Sequence, residues 1–176
     1  MQFIIGIVPP ETYLYKVQNF QRQWQNNHLV KVVEPHITVK AQGGLTTDKK
    51  WLRKIEEVCK QTSPFTVCLE RPEFFGNQVL FLSVNSPEIY KLHQRLVQAI
   101  SPSNDLIQRY MEMERYHPHL TLGQTYWGLT PEELKEMEKD AKERLTPYPE
   151  FTVNFLRIYQ EIKENKYQLY RDVALS

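Results

Sequence analysis

The chain has 176 residues, 41% of them hydrophobic, enough for one sizeable core or for two small lobes sharing a sheet interface. Its 22 basic and 21 acidic residues leave a formal charge of +1, which excludes the strong positive field that draws in long nucleic acid. An RNA ligand is therefore expected as an end or a small fragment.

Met1 to Val8 is apolar, lacks a basic flank and stops at Pro9-Pro10, too short for a secretory signal or a membrane span. The only cysteines, Cys59 and Cys68, share no metal-ligand spacing. A reduced, cytoplasmic setting without membrane association is the expectation.

In chain order, Phe3 to Val8 reads as a buried strand. Pro9-Pro10-Glu11 opens a helix whose stripe is Tyr13, Val17, Phe20 and Trp24, ending at Asn26-Asn27. Leu29 to Glu34 is strand-like. Pro35-His36-Ile37-Thr38-Val39 comes next and runs through Lys40 to Gly43-Gly44. Thr47-Asp48 begins a second helix, with Leu52, Ile55, Val58 and Cys59 on its apolar face. Phe65 to Glu70 and Val79 to Val84 alternate as antiparallel strands around Phe75-Gly76-Asn77.

The order then repeats. Leu80 to Glu88 leads into a helix as Phe3 to Glu11 did, carrying Ile89, Leu92, Leu96 and Ile100. Pro118-His119-Leu120-Thr121-Leu122 is a second Pro-His strand. Thr130-Pro131-Glu132-Glu133 is a capping-box start, Leu134, Met137, Ala141 and Leu145 its stripe, and Lys166 to Leu175 a closing strand. His119 comes 83 residues after His36, and Phe151-Thr152-Val153 comes 86 after Phe65-Thr66-Val67. Strand, helix, His strand, helix and strand thus recur. The expected fold is α+β: a single domain over residues 1–176, made of two interleaved lobes with antiparallel sheets and outer helices, related by a pseudo-two-fold axis. Such an axis would bring the two His strands to one cleft. Pro102 to Arg115 reads as a polar, irregular loop.

On an extended strand, His and Thr two residues apart share a face and the aliphatic residues take the other. One such strand is commonly plain packing; two, each with its proline, point to function. Two imidazoles suit proton transfer in both directions at a phosphodiester, and two hydroxyls suit its non-bridging oxygens. No metal or cofactor is required. His117 beside His119 invites a zinc reading with His36, which ranks low beside the acid-base reading. His28 and His93 read as a surface residue and a solvated helix residue. Lys40 shares the face of Thr38 if the strand persists, within reach of phosphate, and Tyr116, Tyr126, Phe74 and Phe75 are candidates to stack a base.

The doubled His-x-Thr motif resembles the 2H phosphoesterase superfamily, specifically its bacterial branch related to 2'-5' RNA ligases and 2',3'-cyclic phosphodiesterases. Phe3 to Pro10, His36 to Lys40, Phe75-Gly76-Asn77 before Leu80-Phe81-Leu82, and His119 to Gly123 carry the resemblance. It implies His36 and His119 as the acid-base pair and Thr38 and Thr121 as phosphate anchors. The expectation is a monomeric enzyme taking a small nucleotide or RNA terminus in RNA processing. Many ligase-like relatives have arginine after the second motif, where this chain has Gln124, leaving Lys40 or Arg115 as a positive phosphate contact. The expected function is metal-independent opening of a 2',3'-cyclic phosphate or similar phosphodiester. The alternatives are reversible 2'-5' RNA ligation and non-catalytic binding of a nucleotide or RNA-end phosphate.

Overall fold

Five successive buried residues make β1 (Phe3–Ile7), and Pro9 and Pro10 end it. Pro10 then caps α1 (Glu11–Gln21), which buries Tyr13, Leu14, Val17 and Phe20. This helix stops short of Asn26 because the Asn27 carboxamide donates to the Gln21 carbonyl, capping the helix end (3.3 Å). Trp24 lies beyond the helix and still packs on Phe20, ring centroids 5.1 Å apart.

The computed structural model describes all of residues 1–176. Leu29 to Glu34 is not a strand: His28–Lys31 is a 3-10 turn. Its β-favouring side chains find no ladder, only one backbone bond from Tyr167 N–H to the Val32 carbonyl. The first Pro-His motif forms β2 (Ile37–Lys40), and α2 (Leu52–Lys60) starts later than Thr47 because Lys49 adopts a positive φ of 58°. A hairpin turning at Gly76 joins β3 (Phe65–Phe75) to β4 (Val79–Asn85).

After α3 (Pro87–Ile100), the expected irregular loop contains a short helix, α4 (Asn104–Arg109), capped by the Ser103 hydroxyl, and a 3-10 turn, Met113–Arg115. The second motif is β5 (His119–Gln124), and Thr130 and Glu133 form the capping box of α5 (Pro131–Arg144). Then come β6 (Glu150–Val153), β7 (Phe155–Lys163), which the sequence pattern did not single out, and β8 (Lys166–Ala174). No helix is long and apolar enough to cross a membrane.

The architecture is α+β. The eight strands form one sheet in the order β6-β3-β4-β5-β2-β1-β7-β8, every neighbour antiparallel. The two His strands are adjacent at its centre, so the two groups of four strands join into one continuous sheet. The Phe-Thr-Val segments are not placed as counterparts across that centre; they pair with each other, Phe65 against Val153 and Val67 against Phe151. Inward-facing Ile5, Ile37, Leu82 and Leu120 share one core with Val17, Ile55, Leu92 and Met137 from the helices.

Candidate active site

The register of the central strands decides what meets in the cleft. Ile37 of β2 pairs with Leu120 of β5. One residue further in each direction, His36 lies across from Thr121 and Thr38 from His119, so each imidazole faces the hydroxyl of the other motif. Both aliphatic neighbours, Ile37 and Leu120, are fully buried on the opposite face.

Each motif ends in a bulge. On β2, Gly6 pairs with Thr38 but Ile5 with Lys40, leaving Val39 as an extra residue. On β5, Phe81 pairs with Thr121 but Leu80 with Gly123, leaving Leu122 extra. A bulge reverses the alternation beyond it. Lys40 and Gly123 therefore turn towards the core, while Ala41 and Gln124 turn into the cleft.

Both imidazoles are held in the same way. His36 Nδ1 lies 2.9 Å from the Glu34 carbonyl, and His119 Nδ1 lies 2.6 Å from the His117 carbonyl. A carbonyl only accepts, so Nδ1 carries the hydrogen in each ring and Nε2 is left for the cleft. The intervening Pro35 and Pro118 have a fixed φ, which helps turn the preceding carbonyl back to the ring. In the neutral ring, His36 Nε2 accepts from the Thr38 hydroxyl at 3.0 Å. Gly6 lies beneath His36, where an added methyl would stand 3.1 Å from its Cδ2 atom.

Burial pushes His36 below its ordinary value, opposed by the Glu34 carbonyl bond and the Glu34 charge. His119 is lowered too, by burial first; its bond to the His117 carbonyl opposes this, and the nearby His117 and His36 add to it. The Glu34 carboxylate is itself fixed by Arg157 at 2.8 Å and by the Tyr159 hydroxyl at 2.9 Å, both on β7.

The cleft has two basins that meet at Thr38, Thr121 and Gln124. The first, about 290 Å3, holds His36 among polar neutral groups, including Gln2, Gln42 and Asn165. The second, about 450 Å3, holds His119 beside Phe75, Met111, Arg115 and Tyr116. Nowhere do three or more His, Cys, Asp or Glu side chains converge as a metal-ligand group.

A family model described as the 2'-5' RNA ligase superfamily matches residues 9–165. The chain belongs to this superfamily. Among solved structures it is similar to TT0787 of Thermus thermophilus, at 17% identity and a TM-score of 0.68, over 99% of this chain and 98% of that one. It is also similar to E. coli LigT complexed with NADP+ (14% identity, TM-score 0.63, 99% and 97% covered) and with 3'-AMP (14%, 0.62, 99% and 98%). These likenesses establish a shared fold. No curated protein matches the chain in sequence. Membership of the 2'-5' RNA ligase superfamily, the 2H phosphoesterases, supports an enzyme with a phosphoesterase or RNA-end-processing role.

Several expected contacts of this superfamily member fall elsewhere. Lys40 is not a phosphate ligand: the bulge at Val39 turns it inwards, it is fully buried, and its ammonium donates to Ala41 O, Gly43 O and Glu112 Oε1 at 2.7–2.8 Å. Phe74 pairs with Leu80 and packs on the core; its neighbour Phe75 faces the cleft, 5.0 Å from the His119 ring. Tyr116 lines the second basin with its hydroxyl tied to the Thr38 carbonyl at 2.8 Å, and Arg115 stands exposed on the same wall. Tyr126 is exposed and lines neither basin, whereas Trp127 lines the first. His93 is not solvated but 1% exposed, with both nitrogens bonded. Glu34, Arg157 and Tyr159 carried no sequence signal because they act only through the pairing of β1 with β7.

Proposed function

We propose that the protein is a metal-independent phosphoesterase that opens a 2',3'-cyclic phosphate, or another small cyclic or RNA-terminal phosphodiester, by two-histidine acid-base catalysis. The observation that carries this reading is the Ile37–Leu120 pair, with both Nε2 atoms left for one cleft by matching Nδ1 anchors. One neutral imidazole takes a proton from water as its oxygen bonds to phosphorus. The bond from phosphorus to one ribose oxygen breaks, and the protonated imidazole supplies that oxygen with its proton. The threonine hydroxyls donate to the non-bridging oxygens as charge builds there. A ring-opened monoester results, and the two histidines exchange roles in the reverse direction.

Reversible 2'-5' joining of RNA ends is the second reading. The two basins on either side of the threonine pair favour it, because they leave room for a 5'-hydroxyl nucleoside opposite the cyclic end. The nucleotides in the LigT structures agree with a small nucleotide as ligand.

The test is turnover of 2',3'-cyclic nucleotides with chelator present, by wild type, His36→Ala and His119→Ala. Turnover that survives chelation and falls by roughly 10²–10⁴ in each variant is expected. No turnover across a broad panel, or full activity in either variant, refutes the proposal.

A further inference from the structure

The phosphate seat between the two basins is built almost without fixed charge. Thr38, Thr121 and Gln124 are shared by both basins, and the histidines flank them. Of all residues lining either basin, Arg115 alone is a lysine or arginine, and it is exposed. The nearby Lys40 is fully buried and locked to Glu112. The lining carboxylates Glu34 and Glu112 are each ion-paired, to Arg157 and Lys40.

Gln124 reaches this seat only because of the bulge at Leu122; unbroken alternation from His119 and Thr121 would present Gly123 instead. The same displacement on β2 presents Ala41, a methyl. At the one post-motif position where a side chain of any length enters the seat, the group is therefore a neutral amide. A carboxamide offers hydrogen bonds to phosphate oxygens without compensating a charge.

A phosphodiester carries one negative charge, whereas a phosphomonoester, with a second pKa near 6, carries close to two at neutral pH. The solvation lost on burying an ion rises steeply with its charge, and without a fixed cation the second charge is not offset. We propose that Gln124 makes the seat selective for singly charged phosphodiesters over doubly charged phosphomonoesters. This deepens the reading of the cleft as a phosphoesterase site and rests on it. Opening a cyclic diester creates the second charge within the seat, so the product loses affinity as it forms. The selectivity favours hydrolytic release over retention of a terminal phosphate.

The test is equilibrium binding at pH 8 of a 2'-deoxynucleoside 3'-phosphate and its methyl ester, which have the same nucleoside but different charge. Neither has a 2'-hydroxyl with which to form a cyclic phosphate. Wild type should bind the methyl ester at least about tenfold more tightly, a difference of roughly 1.4 kcal/mol. Gln124→Arg should abolish or reverse the preference, and the uncharged Gln124→Met should retain it. Equal affinities in wild type, or a ratio unchanged by Gln124→Arg, overturn the proposal even if cyclic phosphates are turned over. A selective loss of monoester binding in Arg115→Gln also overturns it, by showing that Arg115 supplies the charge. If neither compound binds and no cyclic phosphate is turned over, the phosphate seat itself is refuted and the selectivity with it.

Discussion

The imidazole of His93 lies flat on the phenol of Tyr116, ring centroids 3.8 Å apart and planes 8° from parallel. His93 Nδ1–H donates to the Val39 carbonyl at 2.8 Å, and its Nε2 accepts from Met113 N–H at 2.9 Å. The Tyr116 hydroxyl in turn donates to the Thr38 carbonyl at 2.8 Å. One buried ring thus ties α3 to the bulge in β2 and to the wall of the second basin.

His93→Phe keeps an aromatic surface for Tyr116 but removes both hydrogen bonds, leaving the Val39 carbonyl and the Met113 N–H without their partner. Each such orphan costs about 1–3 kcal/mol. Because the ring supports the wall and does not face the cleft centre, KM should rise more than kcat falls. Urea denaturation and steady-state kinetics check the two halves; an unchanged KM with normal stability would show the ring to be dispensable.

The Lys40–Glu112 pair is 2.8 Å long and both side chains are almost completely excluded from solvent. Lys40→Met leaves the Glu112 carboxylate buried without its cation, at a cost of roughly 3–5 kcal/mol. Glu112 also accepts from the Ala41 N–H at 3.1 Å, so the loss reaches the cleft edge of β2. Adding Glu112→Leu should restore much of the stability, because a pair of apolar residues has no charge to desolvate. A double-mutant cycle in urea reads the coupling directly.

Much of the site is legible in sequence because its central unit is local. In Pro-His-aliphatic-Thr, period-two alternation puts imidazole and hydroxyl on one face whatever the remaining chain does. The facing of the residues just after Thr38 and Thr121 is not legible: the bulges at Val39 and Leu122 depend on pairing with β1 and β4, residues far off in sequence. Extending the alternation places Lys40 in the cleft and Gln124 behind it, the reverse of their positions. The choice between Phe74 and Phe75 is of the same kind, since the register with Leu80 and Val79 decides it. His93 lacked any motif because its partners are backbone atoms of Val39 and Met113, an acceptor and a donor that almost every residue type offers.

The two threonines differ in one respect. The Thr38 hydroxyl donates to His36 Nε2 at 3.0 Å, whereas no such bond links Thr121 to either imidazole. Thr38→Val and Thr121→Val should each lower kcat by about 10²–10³, the usual loss of one donor to a developing oxyanion. Serine at either position should retain most of the activity. A valine variant as active as wild type would remove that threonine from the reaction.

Three imidazoles, those of the buried His93 and of the half-buried His36 and His119, have values lowered from 6.5, in each case by desolvation first. A lowered value means that the folded chain binds fewer protons than the unfolded chain. Their contribution is therefore complete above pH 6.5 and is lost as pH falls from there through the folded values. Each proton contributes a slope of up to about 1.4 kcal/mol per pH unit. Urea midpoints between pH 7.5 and pH 5 should decline, with a shallower slope in His93→Phe, which removes one of the three groups. The proposed mechanism makes catalysis respond in the same range, because it uses one cleft imidazole neutral and the other protonated. The bell in kcat/KM, which reports the free enzyme, should therefore centre on the acid side of 6.5, where both lowered values lie. A profile centred well above neutrality would contradict the burial of both rings.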